Sequence, residues 1–301
     1  MSNCRNCQNS VPRYQSFCSA CGARQFVSSR LVKKRGAKRR AKRGFLERLK
    51  DFFSMGLESE ADKHYKAGCE LLIFSGEAAT TEFKEALRLA PRNSLYKTAL
   101  ATAHWDWGML QDRTGDYEGA IESLNAAIDL QPDNPHWYAA LACCYKHKAE
   151  LKQRGGLSPS MFSWVDQEEA RVSLSPEDVD QISELYEDAC INYGIVLRLD
   201  PTDVTSYMEL SGIMKQIGKE REATDNLREA LAIVNKAIQA DNTDKMSYSE
   251  RAIIFEELGE IDLAIADLER NLTFSTSKAN IMITKLKMEQ LRERKTKRRK
   301  K

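Results

Sequence analysis

The chain has 301 residues, of which 42% are hydrophobic, so it is long enough for one large domain or two smaller ones with a packed core. It contains no apolar run near 18 residues and does not begin with a charged and then apolar signal sequence. We therefore expect neither a membrane span nor export, and a reducing, cytoplasmic location.

The net charge of +2 conceals an uneven distribution along the chain. Residues 1–50 carry 14 Lys or Arg against one acid, and residues 285–301 carry 10 against two. Residues 51–284 therefore carry 22 bases against 41 acids. Two basic ends flank an acidic middle.

Four of the eight cysteines form two CxxC pairs in CRNCQNSVPRYQSFCSACG. Their thiolates fit a tetrahedral Zn²⁺ site with one knuckle from each pair: Cys4, Cys7, Cys18 and Cys21. Residues 1–26 resemble the short zinc ribbons found at the front of many bacterial and archaeal proteins. Gly22 matches their knuckle glycine, whereas Gln8 stands where the first knuckle often has Gly.

Four thiolates leave no open position on the metal, so this zinc is expected to be structural. A redox role for the CxxC pairs is an alternative that lacks its usual βαβ context, and an iron–sulfur cluster is another. The remaining four cysteines lie in helical pattern and are expected to be reduced core residues: Cys69, Cys143, Cys144 and Cys190.

Residues 27–50 are predicted to be a basic linker, because so many like charges repel one another. The candidate polyanion-binding residues are Lys33, Lys34, Arg35, Lys38, Arg39, Arg40, Lys42 and Arg43. They suit a phosphate backbone through counterion release, but they also suit the acidic middle of the same chain or simple solubility. In a eukaryote the run could be a nuclear signal. The next apolar residues, Phe45 to Phe53, are spaced as a helix that packs on the first repeat or, less favoured, lies on a membrane surface.

The clearest repeat unit runs from Pro91 to Asn134 and ends in GDYEGAIESLNAAIDLQPDN. This segment resembles a tetratricopeptide repeat (TPR), a pair of antiparallel helices. The resemblance assigns the turn between the two helices to Gly115 and Asp116, and the small positions where the helices touch to Ala120 and Ala127. Gly108 falls where the first helix of the family has its glycine, Leu124 fills the large apolar position, and Pro132 closes the unit. Further copies are predicted near residues 60–93, 135–201, 204–240 and 248–272. We therefore expect an all-α TPR solenoid of about five repeats over residues 51–284.

An insert at about residues 150–174 interrupts the third copy, and a helix restarts after Ser175 and Pro176. Its apolar residues Met161, Phe162 and Trp164 either fold back as a plug or form a docking loop. After Thr273 a capping helix is predicted, with apolar positions Ile281, Ile283, Leu286 and Leu291. It leads into residues 285–301, whose basic end KTKRRKK is expected to be disordered.

The resemblance implies a groove lined by the first helix of each repeat, and its register predicts a set of partner-binding residues. They are Trp105, Met109, Asp112, Ala139, Cys143, Lys146, Met208, Lys215, Ile253 and Glu256. The family's clamp for two carboxylates is absent, because its Asn positions hold Asp106, Ala140, Glu209 and Glu250. A hydrophobic or basic segment is therefore the expected ligand.

No enzyme motif is found, and the four histidines lie singly on predicted helices. The sequence thus favours a non-enzymatic adaptor that binds another protein and no small-molecule substrate. The alternative is a nucleic-acid-associated factor that holds RNA or DNA with the ribbon and basic linker while the repeats recruit a protein.

Overall fold

The structure is a computed structural model that describes residues 2–3, 10–11, 59–155 and 174–299. The predicted ribbon ligands, the basic linker, the amphipathic segment at residues 45–53 and the apolar residues of the insert lie outside the described residues. The chain divides into two compact units, Met1–Glu58 and Ser59–Lys301. In the first, β1 (Ser2–Asn3) and β2 (Ser10–Val11) form a two-stranded antiparallel sheet in which Ser2 pairs with Val11.

The second unit is helical throughout its described part, and the helices follow one another as antiparallel hairpins. The helices are α1 (Glu60–Leu71), α2 (Gly76–Leu89), α3 (Ser94–Thr114), α4 (Tyr117–Leu130), α5 (Pro135–Gln153), α6 (Pro176–Leu199), α7 (Val204–Gln216), α8 (Glu220–Ala240), α9 (Lys245–Glu257), α10 (Ile261–Phe274) and α11 (Lys278–Arg299). Within these ranges no helix is long and apolar enough to cross a membrane.

In four successive hairpins, a polar residue before the first helix and a glycine after it set the ends of that helix. Each of α3, α5, α7 and α9 begins after an Asn or Asp whose side chain accepts a hydrogen bond from the first turn. Each is followed at once or within two residues by a glycine with positive φ: Gly115, Gly155, Gly218 and Gly259. Only glycine adopts that backbone without strain, so these glycines stop the helix and turn the chain.

Small residues let the two helices of a hairpin approach closely, as the repeat pattern predicts. The alanines Ala79, Ala86, Ala120, Ala127, Ala223 and Ala230 on the second helices are all fully buried. At Gly108 in α3, an added Cβ would lie 2.9 Å from Leu124 Cγ and 3.2 Å from the Ala120 carbonyl oxygen. Each second helix also packs against the first helix of the next hairpin, which makes the core continuous.

The last helix, α11, differs from its prediction in two ways. It packs on the final hairpin through Met288 and Leu291, whereas Ile283 and Leu286 are exposed. The basic end is helical to Arg299 rather than disordered. Charge pairing accounts for this order, since Arg294 pairs with the Glu256 carboxylate on α9 and Lys295 pairs with Asp262 at the start of α10.

The cysteines of the second unit are free thiols, but they are not all core residues. Cys144 is buried, Cys143 and Cys190 are partly exposed, and Cys69 is exposed. At the first hairpin the contact with α2 is made by Gly68, where an added Cβ would lie 2.7 Å from the Phe83 ring. Its neighbour Cys69 therefore faces away from the hairpin.

Candidate binding face

The predicted groove residues all lie on the first helices α3, α5, α7 and α9, and we call the surface that they mark the first-helix face. Ile253 is exposed and Asp112 is buried. The other eight are partly exposed: Trp105, Met109, Ala139, Cys143, Lys146, Met208, Lys215 and Glu256. These residues are thus available to a ligand to different degrees.

Charged groups on this face pair from one first helix to the next. Lys146 Nζ on α5 lies 2.6 Å from Glu209 Oε2 on α7, and both side chains are partly buried. Lys215 Nζ on α7 likewise lies 2.6 Å from Glu257 Oε2 on α9.

The same pattern continues to the end of the chain. The Glu256 carboxylate on α9 is held by two cations of α11: Lys287, with Nζ 2.8 Å from Oε2, and Arg294. We use the name inter-helix ladder for four contacts: Asp112 with His147, Lys146 with Glu209, Lys215 with Glu257, and Glu256 with Lys287 and Arg294.

The contact between α3 and α5 joins Asp112 on α3 to His147 on α5. His147 Nδ1 lies 3.0 Å from each carboxylate oxygen of Asp112, whose side chain is only 4% exposed. The hydrogen bond to this carboxylate, and the neighbouring sulfur of Cys143, raise the pKa of His147 to about 10. At neutral pH His147 is therefore an imidazolium paired with a buried carboxylate.

The apolar part of the face is continuous with the core. The Trp105 ring lies 5.5 Å from that of Trp137, measured between centroids, and Met109 packs against the cluster that contains Leu124 and Leu141. Met208 packs against the cluster further along the array, whereas 43% of Ile253 is exposed. A ligand would therefore meet apolar side chains fixed by packing, with paired charges between them.

The positions of the family's carboxylate clamp do not supply cations. Ala140 is buried, Glu209 pairs with Lys146, and burial raises the pKa of Glu250. A binding mode that grips two ligand carboxylates does not fit this arrangement of described residues.

The histidines differ sharply in environment. His104 is buried, and its Nδ1 has no hydrogen-bond partner, so desolvation lowers its pKa to about 4. It is a neutral core residue. In the part of the chain that the structure describes, no group of three or more His, Cys, Asp or Glu side chains could hold a metal ion.

Sequence reasoning missed most partners in the ladder. Cys143 and His147 are four residues apart on a predicted helix, so their contact was visible in the spacing. The contact of His147 with Asp112 joins residues 35 positions apart, and that of Lys146 with Glu209 joins residues 63 positions apart. No local pattern signals these pairs.

Comparison with known proteins identifies the repeat. Residues 101–134 match the family model of the tetratricopeptide repeat. Over 211 residues the chain is 26% identical to a TPR repeat-containing protein of Methanocaldococcus jannaschii, with 65% of this chain and 35% of the relative covered. The chain thus spans about a third of the length of that relative.

Two solved structures are similar at low identity. A thermophilic TPR protein of Thermus thermophilus is 17% identical, with 74% of this chain and 95% of the other covered and a TM-score of 0.40. A MamA fragment from Desulfovibrio magneticus is 13% identical, with coverages of 74% and 99% and a TM-score of 0.41. The matched repeat and the array of helical hairpins describe an all-α, TPR-like solenoid.

Proposed function

We propose that this TPR-like solenoid is a non-enzymatic scaffold whose first-helix face binds an apolar segment of another protein. TPR-type repeats are generally protein-interaction scaffolds, and stacked repeats present an extended surface along their first helices. The observation that carries the proposal is that the cations and acids of this face pair with one another in the inter-helix ladder, whereas Ile253 remains exposed.

The paired charges decide between kinds of ligand. A carboxylate tail would have to displace Glu209 or Glu257 from its lysine, and that exchange gains little. An apolar segment covers Met208 and Ile253 without breaking the ladder. Methionine adapts its shape to different ligands, so the face suits a short amphipathic helix or extended apolar peptide.

The proposal is tested by selecting peptides on the full chain from a random phage-displayed peptide library. The affinity of the best peptide is then measured by fluorescence anisotropy. We expect apolar peptides, and we expect Ile253→Glu to weaken their binding at least about tenfold, because a charge would replace an exposed apolar contact. The matched control is Leu263→Glu, since Leu263 is also exposed but lies on α10, the second helix of the same hairpin.

Two results would contradict the proposal. One is a set of selected peptides rich in Asp and Glu whose binding is indifferent to Ile253→Glu. The other is binding that is lost in Leu263→Glu and kept in Ile253→Glu, because it would place the ligand on the second helices.

For the amino-terminal unit we propose a structural zinc ion held by Cys4, Cys7, Cys18 and Cys21. The pairing of β1 with β2 supports it, because Asn3 pairs with Ser10 and the first CxxC pair lies in the sequence between these two residues. In so small a unit, metal binding supplies much of the folding free energy. The test is the metal content given in the Discussion.

A further inference from the structure

A thiol of the first-helix face lies against a positively charged ring. Cys143 Sγ is 3.5 Å from His147 Nε2 and 3.9 Å from Nδ1. Because the two distances are similar, the sulfur lies alongside the ring rather than in line with one N–H bond. It is therefore exposed to the charge of the whole imidazolium.

Asp112 keeps that charge in place. Its carboxylate is buried and accepts from His147 Nδ1, so deprotonation of the ring would leave a buried anion without this cation. A cation within about 4 Å stabilises the thiolate, which is the reactive form of cysteine. The carboxylate is buried beneath the imidazole, and both the imidazole and Cys143 are partly exposed.

The other titratable groups around this pair do not cancel the effect. Burial raises the pKa of Tyr193 on α6, so that phenol is neutral, and Lys146 is paired with Glu209 on α7. Glu150, one turn beyond Lys146 on α5, is paired with Arg154. His147 therefore supplies the positive charge next to the sulfur.

The adjacent Cys144 has the opposite character. It is fully buried, its thiol donates to the Tyr117 carbonyl oxygen at 3.7 Å, and burial raises its pKa. Side chains at successive helix positions do not face each other, so Cys144 is not placed to attack a disulfide formed at Cys143.

We propose that Cys143 is an activated thiol that undergoes exchange with low-molecular-weight disulfides, giving a reversible S-thiolation site on the first-helix face. The Cys143 thiolate attacks one sulfur of the small disulfide and forms a new S–S bond. The original S–S bond breaks, and its electron pair leaves with the second sulfur as a thiolate, which takes a proton from water. The leaving sulfur is reduced from the disulfide to the thiolate level while the Cys143 sulfur is oxidised by the same amount, and a mixed disulfide remains on Cys143 until an external thiol reverses the exchange. This chemistry does not depend on whether the face binds a partner protein.

The experiment compares the rates of exchange at two cysteines of the full-length protein. The chain is incubated with oxidised glutathione at about pH 7, and the adduct at each cysteine is followed by peptide mass spectrometry. The thiolate is the attacking form, so a thiol held next to a cation should react faster than one without it. We expect Cys143 to form the adduct at least about fivefold faster than the exposed Cys69, which is the reference thiol in the same chain.

Two variants connect this behaviour to the geometry. His147→Gln keeps a side chain that can donate to Asp112 but removes the charge, so we expect the rate at Cys143 to fall to that of Cys69 or below. Cys144→Ser should leave the rate at Cys143 unchanged and makes the assignment of the adduct unambiguous.

The proposal is overturned if Cys143 in the unaltered chain is unreactive or reacts no faster than Cys69. It is also overturned if His147→Gln, folded by circular dichroism, keeps the fast rate at Cys143. If that variant does not fold, the comparison of Cys143 with Cys69 in the unaltered chain decides alone.

Discussion

The close contact at Gly108 predicts that one substitution has opposite effects at different positions of this array. Gly→Ala inside a helix gains about 1 kcal/mol of stability where the new methyl group meets nothing. At Gly108 the methyl group would lie 2.9 Å from the buried Leu124 side chain and 3.2 Å from a backbone oxygen. Overpacking of this kind costs about 1–3 kcal/mol, so Gly108→Ala should lower the free energy of unfolding by about 1 kcal/mol net.

The matched controls are helical glycines without that contact. An added Cβ at Gly194 on α6, or at Gly212 on α7, meets no atom within 4 Å. Gly212→Ala and Gly194→Ala should therefore raise stability by about 0.5–1 kcal/mol. Thermal unfolding of the full chain, followed by far-ultraviolet circular dichroism, should show a lower midpoint for Gly108→Ala and higher midpoints for both controls, each shifted by about 2–4 °C per kcal/mol.

If Gly108→Ala raised the midpoint as the controls do, the hairpin would have room at this position. The close approach of α3 to α4 would then not be what requires glycine there. A lower midpoint of thermal unfolding for all three variants would instead contradict the assumption that alanine is a better helix former than glycine at these positions.

Three further predictions concern charge and metal. Arg251 donates to both carboxylate oxygens of the buried Asp267 at 2.7 Å, so Asp267→Ala should lower the free energy of unfolding, measured in urea, by about 2–3 kcal/mol. The control Glu269→Ala breaks an exposed pair on the same helix and should leave the free energy of unfolding unchanged. Equal losses for the two variants would contradict the role of burial. The raised pKa of His147 stabilises the fold fully below pH 6.5, and this contribution disappears as the pH rises through about 10. Because 38% of the His147 side chain is exposed, solvent screens the pair, so the unaltered chain should exceed His147→Gln in free energy of unfolding by only about 1 kcal/mol at about pH 6. This difference should vanish at about pH 10.5, and a difference independent of pH would refute the linkage. Purified full-length protein should contain one zinc ion that Cys18→Ser or a chelator removes while the helical signal stays, and a zinc-free unaltered protein would exclude the four-thiolate site.

The hairpins were predictable because their signals are local. A turn such as Gly115–Asp116 and the capping box at Ser175 both involve residues within four positions of each other. The inter-helix ladder was not predictable, because its partners meet only when neighbouring hairpins stack. The register placed Asp112 among the groove residues but could not show that a neighbouring helix buries it against His147.

The carboxyl-terminal helix shows the limit of reasoning from a charge run alone. A run such as KTKRRKK repels itself in isolation, which is the basis for expecting disorder. In the folded chain Lys295 and Arg294 face the acids of the last hairpin, and pairing replaces repulsion. The sign of the effect thus depends on the charge of the surface that the run meets, and that surface is known only after folding.

Neighbouring repeats of the solenoid are held together by two kinds of contact that respond differently to salt, and the inter-helix ladder is one of them. On the first-helix side, neighbouring repeats are joined by ion pairs, whose strength falls as dissolved salt screens them. Elsewhere the repeats are joined by close packing of alanines and larger apolar side chains, which salt does not weaken. Ionic strength should therefore change how readily the array flexes about its packed core while the order and register of the repeats stay the same.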